Sequence, residues 1–202
     1  MCILTARASV ISGQEVPEFG EVSLDDFSET PFDSTSASVI LFDKATYIAG
    51  FQPAVERHIR VKINNKSALK TWGEFRLGSF FEATTKVKAA TYVIEGGEIV
   101  SHFVEKEAII KDVKSRSERL VALNNVREGC IVELMFRSAI RYPGVPSWFI
   151  QHEEPVLWSE YLLMSSFRST YVIYGGVEPF IFDPKYKGRY YRWVFRNVPG
   201  FI

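Results

Sequence analysis

The feature that most constrains this chain is a strict alternation of apolar and charged side chains over residues 56–64. Successive side chains of an extended strand point to opposite faces of a sheet, so this period of two predicts a β-strand. Its apolar side consists of Ile59, Val61 and Ile63, and its charged side of His58, Arg60 and Lys62. The apolar side predicts a buried face. The charged side is typical of a solvated face, with anion binding as the alternative.

Short runs of the same kind, separated by turn residues, fill most of the chain. We count about nine strands and little helix, which predicts an all-β fold, specifically an antiparallel β-sandwich. Gly96 and Gly97 lie between two runs and predict a β-hairpin, because glycine adopts the positive φ that tight turns need. The runs 119–123 and 130–137 predict a second antiparallel pair, whereas 105–117 is typical of a short helix or an exposed connection. The remaining predicted strands are 38–43, 86–94, 99–104, 155–164, 170–174 and 189–195.

Composition divides the chain into two parts. We interpret residues 1–36 as a truncated signal segment and a linker, and residues 37–202 as the β-sandwich module. The triplet Ala6-Arg7-Ala8 fits the small-x-small cleavage pattern of a signal peptide, although a disordered tail explains the same residues. Residues 13–36 are rich in Gly, Glu, Asp, Ser and Pro, which is typical of a linker or a loosely packed lead-in.

Charge and hydropathy exclude several classes of function. The 24 Lys and Arg residues equal the 24 Asp and Glu residues, whereas nucleic-acid binding relies on many Lys and Arg contacts to phosphate. No apolar run is long enough to span a membrane as a helix. The two cysteines, Cys2 and Cys130, define neither a disulfide framework nor a metal site, and the three histidines lack metal-ligand spacing. We therefore expect no cofactor and no metal.

Four stretches, taken together in this order, resemble a known family. They are Lys88-Ala-Ala-Thr-Tyr92, Asn125-Val-Arg-Glu-Gly-Cys-Ile-Val-Glu133, the run 148–161 with its Trp-Phe-Ile-Gln and Pro-Val-Leu-Trp-Ser-Glu-Tyr segments, and Trp193-Val-Phe-Arg-Asn-Val-Pro199. The family is a domain of unknown function found ahead of the transglutaminase-like (papain-fold) core in Gram-negative bacterial envelope proteins. The resemblance extends from about Pro17 to the end of the chain.

The resemblance implies a non-catalytic accessory module that packs on or presents a downstream transglutaminase-like domain, truncated here before that domain. It also implies export to the periplasm or cell envelope, with an envelope protein or a glycan as a further candidate partner. The catalytic Cys-His-Asp set of such proteins would belong to the downstream domain. The family more usually has serine at the position of Cys130, which implies that Cys130 is not a required nucleophile.

Two constellations carry chemistry that an autonomous enzyme would need. Cys130 and His152 suggest a nucleophile and its base, but the apolar strand after Cys130 favours a small buried hydrophobe. Glu133 and Glu160 lie on apolar strand faces, where they would form either a general acid/base pair or separate ion pairs. We favour ion pairs with arginine, and the candidate partners are Arg60, Arg137 and Arg141.

Aromatic residues form two groups with different expected roles. The structural core is expected to contain Trp148, Gln151, Pro155, Trp158 and Tyr161, together with Glu133. A ligand face for carbohydrate stacking is the alternative function, and its candidates are Tyr186, Tyr190, Tyr191 and Trp193. Pro155 cannot donate to a ladder, so it predicts a strand beginning or an edge, and the strand after it is apolar on both faces. Gln151 is expected to satisfy backbone groups at the bend before Pro155.

Overall fold

A computed structural model describes residues 16–77, 81–106, 109–111, 119–140, 147–164 and 190–201. These residues form ten β-strands and very little helix. The strands are β1 (Ser38–Ile48), β2 (Ala54–Ile63), β3 (Glu74–Leu77), β4 (Phe81–Glu95), β5 (Glu98–Phe103), β6 (Ile109–Lys111), β7 (Arg119–Ala122), β8 (Ile131–Ile140), β9 (Val156–Met164) and β10 (Tyr190–Val198). Two short 3₁₀ helices (Leu24–Phe27 and Lys66–Ala68) and one turn of α-helix, α1 (Leu69–Trp72), complete the described elements.

The strands form two sheets that pack as a β-sandwich, which confirms the predicted all-β class. Seven strands make the large sheet, in the order β10-β9-β1-β2-β8-β4-β5, and three make the small sheet, in the order β3-β7-β6. All described pairs are antiparallel except β1 with β9, which run parallel. The parallel pair needs a long connection between its strands, and residues 49–155 supply it.

The hairpin at Gly96 and Gly97 is confirmed. β4 and β5 pair antiparallel up to Glu95 opposite Glu98, and both glycines have positive φ, at 61° and 88°. A two-residue turn with positive φ at both positions matches the right-handed twist of the flanking strands. The same β4 pairs with β8 on its other side, which places β8 near the middle of the large sheet.

One face of the large sheet carries the main hydrophobic core, and the small sheet covers part of it. Val61 and Leu134 of the large sheet pack with Leu77 of β3 and Val121 of β7. A second apolar cluster continues on the same face around Tyr161 and the other residues Ala45, Tyr47, Val55, Leu163 and Trp193. The apolar side of the alternating strand thus faces a core, as predicted.

The opposite face of the large sheet is covered by residues 16–36, which we call the N-terminal arm. Phe19, Val22 and Phe27 of the arm pack against Tyr92 and Ile131 of the sheet. The charged side of β2 lies beneath this cover, so the expectation of a solvated face is wrong, and Arg60 is 0% exposed. A segment whose composition is typical of a linker therefore forms part of the packed structure.

Two local predictions differ from the structure. The predicted pairing of 119–123 with 130–137 is wrong, because β7 belongs to the small sheet and β8 pairs with β2 and β4. The chain crosses between the two sheets at residues 123–130, and sequence proximity does not reveal such a crossing. Part of 105–117 forms the short strand β6, which pairs with β7. The predicted strand 170–174 lies outside the described residues.

β9 has the two buried faces that its sequence predicts, and it begins directly after Pro155. We expect Trp158→Ala to lower the free energy of unfolding by roughly 3–5 kcal/mol, because it removes a large buried ring. Phe51→Ala truncates a ring that is fully exposed and should change the stability by no more than about 0.5 kcal/mol. Urea unfolding followed by fluorescence measures both. Equal stabilities of Trp158→Ala and the parent chain would contradict this assignment.

Candidate functional site

A buried ion network lies beneath the N-terminal arm. The ladder between β2 and β8 places Arg60 directly opposite Glu133, and both side chains are fully buried. Arg60 donates from Nη2 to Glu133 Oε1 at 2.7 Å, and His58 Nε2 lies 2.8 Å from the same oxygen. The second oxygen accepts the Tyr92 hydroxyl at 2.6 Å and the backbone N–H of Gly20 at 3.1 Å. Every polar atom of the carboxylate therefore has a partner.

The network keeps Glu133 ionised. Burial alone would raise the pKa of Glu133, but hydrogen bonds from His58 and Tyr92 and the charge of Arg60 together hold that pKa below its ordinary value. Burial and the neighbouring carboxylate raise the pKa of the Tyr92 phenol, so it remains a hydrogen-bond donor. A carboxylate with a lowered pKa is a poor general acid, and its oxygens are already occupied.

The arm covers this network and adds carboxylates of its own. Asp26 Oδ2 accepts from Arg60 Nη1 at 3.1 Å. Asp33 forms an ion pair with Lys62, which also donates to the Ser28 carbonyl at 2.7 Å. Burial raises the pKa of Asp33, but the hydrogen bonds from Lys62 and Thr30 outweigh it and leave that pKa lowered. The arm is thus attached to the sheet mainly through charged side chains.

Glu160 lies in a separate ion cluster on the same face. Arg192 donates to both of its oxygens at 3.0 Å, and Lys44 lies 3.6 Å away. Two strands, β1 and β2, separate Glu160 on β9 from Glu133 on β8, which places them roughly 14 Å apart at the usual strand spacing. The structure therefore does not bring the two carboxylates together as an acid/base pair.

Glu133 and Glu160 each form an ion pair with an arginine, which is the alternative that we favoured. Arg60 is the partner of Glu133, as expected. Glu160 instead pairs with Arg192, which was not among the candidates. Arg137 pairs with Glu56, and Arg141 lies outside the described residues.

Cys130 and His152 do not face each other. Cys130 is fully buried in the main core, burial raises the pKa of its thiol, and the Arg127 N–H donates to its sulfur at 3.4 Å. His152 Nε2 instead lies 3.5 Å from Asp43 Oδ2. A thiol with a raised pKa inside an apolar core is a weak nucleophile.

Sequence patterns did not identify the cluster around Asp43. This buried carboxylate accepts two hydrogen bonds from Arg57, at 2.9 and 2.7 Å. Burial raises the pKa of Asp43, but the charge of Arg57, its two hydrogen bonds and the nearby His152 ring outweigh it, so that pKa is lowered. Ser159 is opposite Asp43 in the β1–β9 ladder, which suggests a serine triad. However, Ser159 is fully buried, and Trp148 Nε1 donates to its hydroxyl at 3.2 Å.

The segment 147–154 and the residues Pro199–Phe201 lie side by side, and we call them the exit surface. Gln151 donates to the Pro199 carbonyl at 3.0 Å, and the Phe201 N–H donates to the His152 carbonyl at 2.9 Å. Gln151 thus satisfies a backbone group at the end of β10, not at the bend before Pro155. Gly200 packs so closely on Glu153 that an added Cβ would lie 2.3 Å from the Glu153 carbonyl oxygen.

The exit surface exposes two large rings beside a cleft. Phe149 is 72% exposed and Phe201 is 62% exposed. Phe201 also borders a cleft of about 490 Å³. The other lining residues include Phe32, Ser38, Thr71 and Pro155.

The predicted core residues fall into two groups. Trp148 stacks on Tyr161 with ring centroids 5.6 Å apart, and Tyr161 also contacts Trp193. Trp158 lies on the other face, where it donates to Glu160 at 3.1 Å and where the Arg196 guanidinium lies 4.6 Å from the centre of its ring.

The candidate carbohydrate face gains no support from the described residues. Trp193 is buried and so unavailable for stacking with a sugar. Tyr190 and Tyr191 belong to β10, but their side chains are outside the described part, as is the whole of Tyr186.

Removing one partner of the buried pair should be costly. We expect Glu133→Leu to lower the free energy of unfolding by about 3–5 kcal/mol, because Arg60 would keep its charge without this carboxylate. Replacing both residues, as in Arg60→Met/Glu133→Leu, should restore much of that loss. Glu95→Leu, which breaks an exposed pair with Arg127, should cost at most about 1 kcal/mol. Chemical unfolding measures all three, and a double variant as unstable as Glu133→Leu would contradict this account.

The lowered carboxyl pKa values predict acid sensitivity. Glu133, Asp33 and Asp43 all have lower pKa values in the folded chain than their ordinary values. As the pH falls toward the ordinary carboxyl pKa, the unfolded chain binds more protons than the folded chain. The contribution of these carboxylates to stability is therefore complete above the ordinary carboxyl pKa and is lost below it. We expect a nearly constant stability from pH 5 to 7 and a steep loss below about pH 4. Urea midpoints across this range test it, and a flat profile down to pH 3 would refute it.

Comparisons with known proteins give a similarity of fold. No family model and no curated protein matches the chain. A solved chain from Parabacteroides distasonis, described as a candidate protease, is similar with a TM-score of 0.58 and 14% sequence identity. The match covers 82% of this chain and 36% of that chain, so this chain spans about a third of its length. In the described part of the chain, no helix is long and apolar enough to cross a membrane, and no cluster of residues fits a metal ion.

Proposed function

We propose that this chain is a non-catalytic interaction module of a transglutaminase-like envelope protein, and that it packs on and presents the domain that follows it. The resemblance of four sequence stretches to the domain ahead of such cores supports the proposal. The solved chain with a similar fold is longer, since the match covers 36% of it. This is compatible with a module inside a longer protein. The periplasm or cell envelope is the compartment that this proposal requires.

The exit surface is the observation that carries the proposal. Phe149 and Phe201 expose most of their rings on two segments that are hydrogen-bonded to each other. Single exposed rings are common on protein surfaces, whereas exposed apolar side chains on adjoining segments are a feature of surfaces that contact another protein. Burying each ring would contribute about 1.5–3 kcal/mol to an interface. A domain attached after Phe201 would meet this surface first.

The segment carrying Phe149 is held firmly enough to orient a neighbour. Trp148 is fixed between the ring of Tyr161 and the guanidinium of Arg57, which lies 5.4 Å from the centre of the Trp148 ring. His152 contacts Asp43, a fully buried side chain of β1. A surface with fixed side chains loses less conformational entropy on binding than a flexible one.

We expect the product of the complete reading frame to protect the exit surface. In hydrogen exchange, amides of residues 147–154 should exchange more slowly in that product than in the 202-residue chain. Phe149→Ser/Phe201→Ser in the longer product should return them to the faster rate, because the apolar contact is lost. Leu24→Ser/Phe51→Ser changes two other exposed side chains and serves as the matched control. A frame that ends at Ile202, or equal exchange in both proteins, would contradict the proposal.

A further inference from the structure

The contacts that attach the N-terminal arm to the large sheet differ from strand pairing. It adds no strand, and its regular structure is a single 3₁₀ turn, Leu24–Phe27. Its described hydrogen bonds to the sheet involve side chains of the sheet, among them Gly20 N–H to Glu133, Asp26 to Arg60 and Asp33 to Lys62. Contacts of this kind resemble those of a bound peptide more than those of a sheet element.

The surface beneath the arm is positively charged. Arg60 and Lys62 are buried there, and Lys88 is nearby on β4, whereas the sheet supplies Glu133 and, farther along β2, Glu56, whose charge Arg137 balances. Removing the arm would leave an excess of two positive charges on this surface. Asp26 and Asp33 of the arm balance that excess.

The chemistry of this surface would allow another segment to replace the arm. Exposing an apolar face to water is costly, but a buried charge regains its hydration when a cover leaves. Arg60, Lys62 and Glu133 would all be hydrated in an open state. The arm's apolar anchors, Phe19 and Phe27, are only partly buried. Opening the arm therefore costs less than opening the sandwich itself.

A cleft continues this surface beyond the start of the arm. It has a volume of about 440 Å³, and its charged lining residues are Glu18, Lys44, Glu56, Arg57 and Lys88. The Lys88 ammonium lies 5.6 Å from the centre of the Phe19 ring, and it has no carboxylate partner among the described residues. Lys88 is therefore a cation of this surface that a partner's carboxylate could contact.

We propose that this groove binds an extended acidic peptide segment of a partner protein, and that the arm is a built-in competitor for it. The partner segment would place one carboxylate on Arg60 and another on Lys62, and it would extend toward Lys88 through the cleft. An incoming segment can contact Lys88 first and then displace the arm. This inference does not depend on a downstream domain, because the arm's contacts with Glu133, Arg60 and Lys62 involve no residue of the exit surface.

The test uses a labelled synthetic peptide of residues 16–36 and the complete 202-residue chain. In the parent chain the tethered arm outcompetes the peptide, so binding should be weak. Asp26→Asn/Asp33→Asn weakens the tethered arm, and the peptide should then bind about tenfold more tightly or better, given the strength of hydrogen bonds to charged groups. Adding Lys88→Ala to that variant should weaken peptide binding again, because the Phe19 ring of the peptide would lose its contact with the ammonium. Fluorescence anisotropy measures each affinity.

Asp25→Asn/Glu29→Gln is the matched control, since it removes the same charge from exposed arm positions. It should bind the peptide as weakly as the parent chain. Hydrogen exchange of β2 and β8 shows whether each variant is folded, and Asp26→Asn alone provides a milder change. Equal peptide affinity for control and test variants, or no binding to a folded Asp26→Asn/Asp33→Asn chain, would overturn the proposal. Loss of β2 protection in both Asp26 variants would overturn it too, because the arm would then be part of the core.

Discussion

The structure depends on one buried ion pair, Arg60 with Glu133, near the middle of the seven-stranded sheet. Two charges without water are stable only when each polar atom has a partner, because their desolvation is costly. The register of β2 against β8 supplies the pair itself, and Tyr92 of β4 supplies a further donor. The arm completes the set with Gly20 and Asp26. Strand register and arm docking are therefore parts of a single electrostatic arrangement.

Different interactions hold the two faces of the large sheet to the layers that cover them. The face toward the small sheet is apolar, so water exclusion holds its layers together over a large area. The face toward the arm combines a small apolar cluster with ion pairs, whose energies depend on geometry, pH and competing charges. The first kind of contact suits a permanent scaffold. The second suits a surface whose cover responds to a partner.

Sequence patterns predicted the features that depend on local residues. The Gly96-Gly97 hairpin and the strand beginning after Pro155 follow from turn geometry and a missing donor. Charge predicted that Glu133 pairs with an arginine, but it did not select Arg60 from the three candidates. The position of the arm over β2 was not predictable. The alternation of apolar and charged residues shows that the two faces of a strand differ, but it does not show which distant segment packs on each face. The parallel β1–β9 pair joins residues more than a hundred positions apart, so it has no local signal. The cluster around Asp43 was missed for the same reason, since His152 is equally distant from it.

Strand β1 shows how the two faces remain independent while sharing a backbone. Phe42 packs against His58 and under Arg60, whose guanidinium lies 4.9 Å from the ring centre, on the arm's side. The next residue, Asp43, holds Arg57 and His152 on the opposite side. Consecutive residues of a strand reach both faces, but the ladder bonds on each side of β1 fix its backbone. Phe42 and Asp43 therefore serve the proposed groove and the exit surface separately, and the two sites meet at the cleft beside Phe201, which Phe32 and Ser36 of the arm also line.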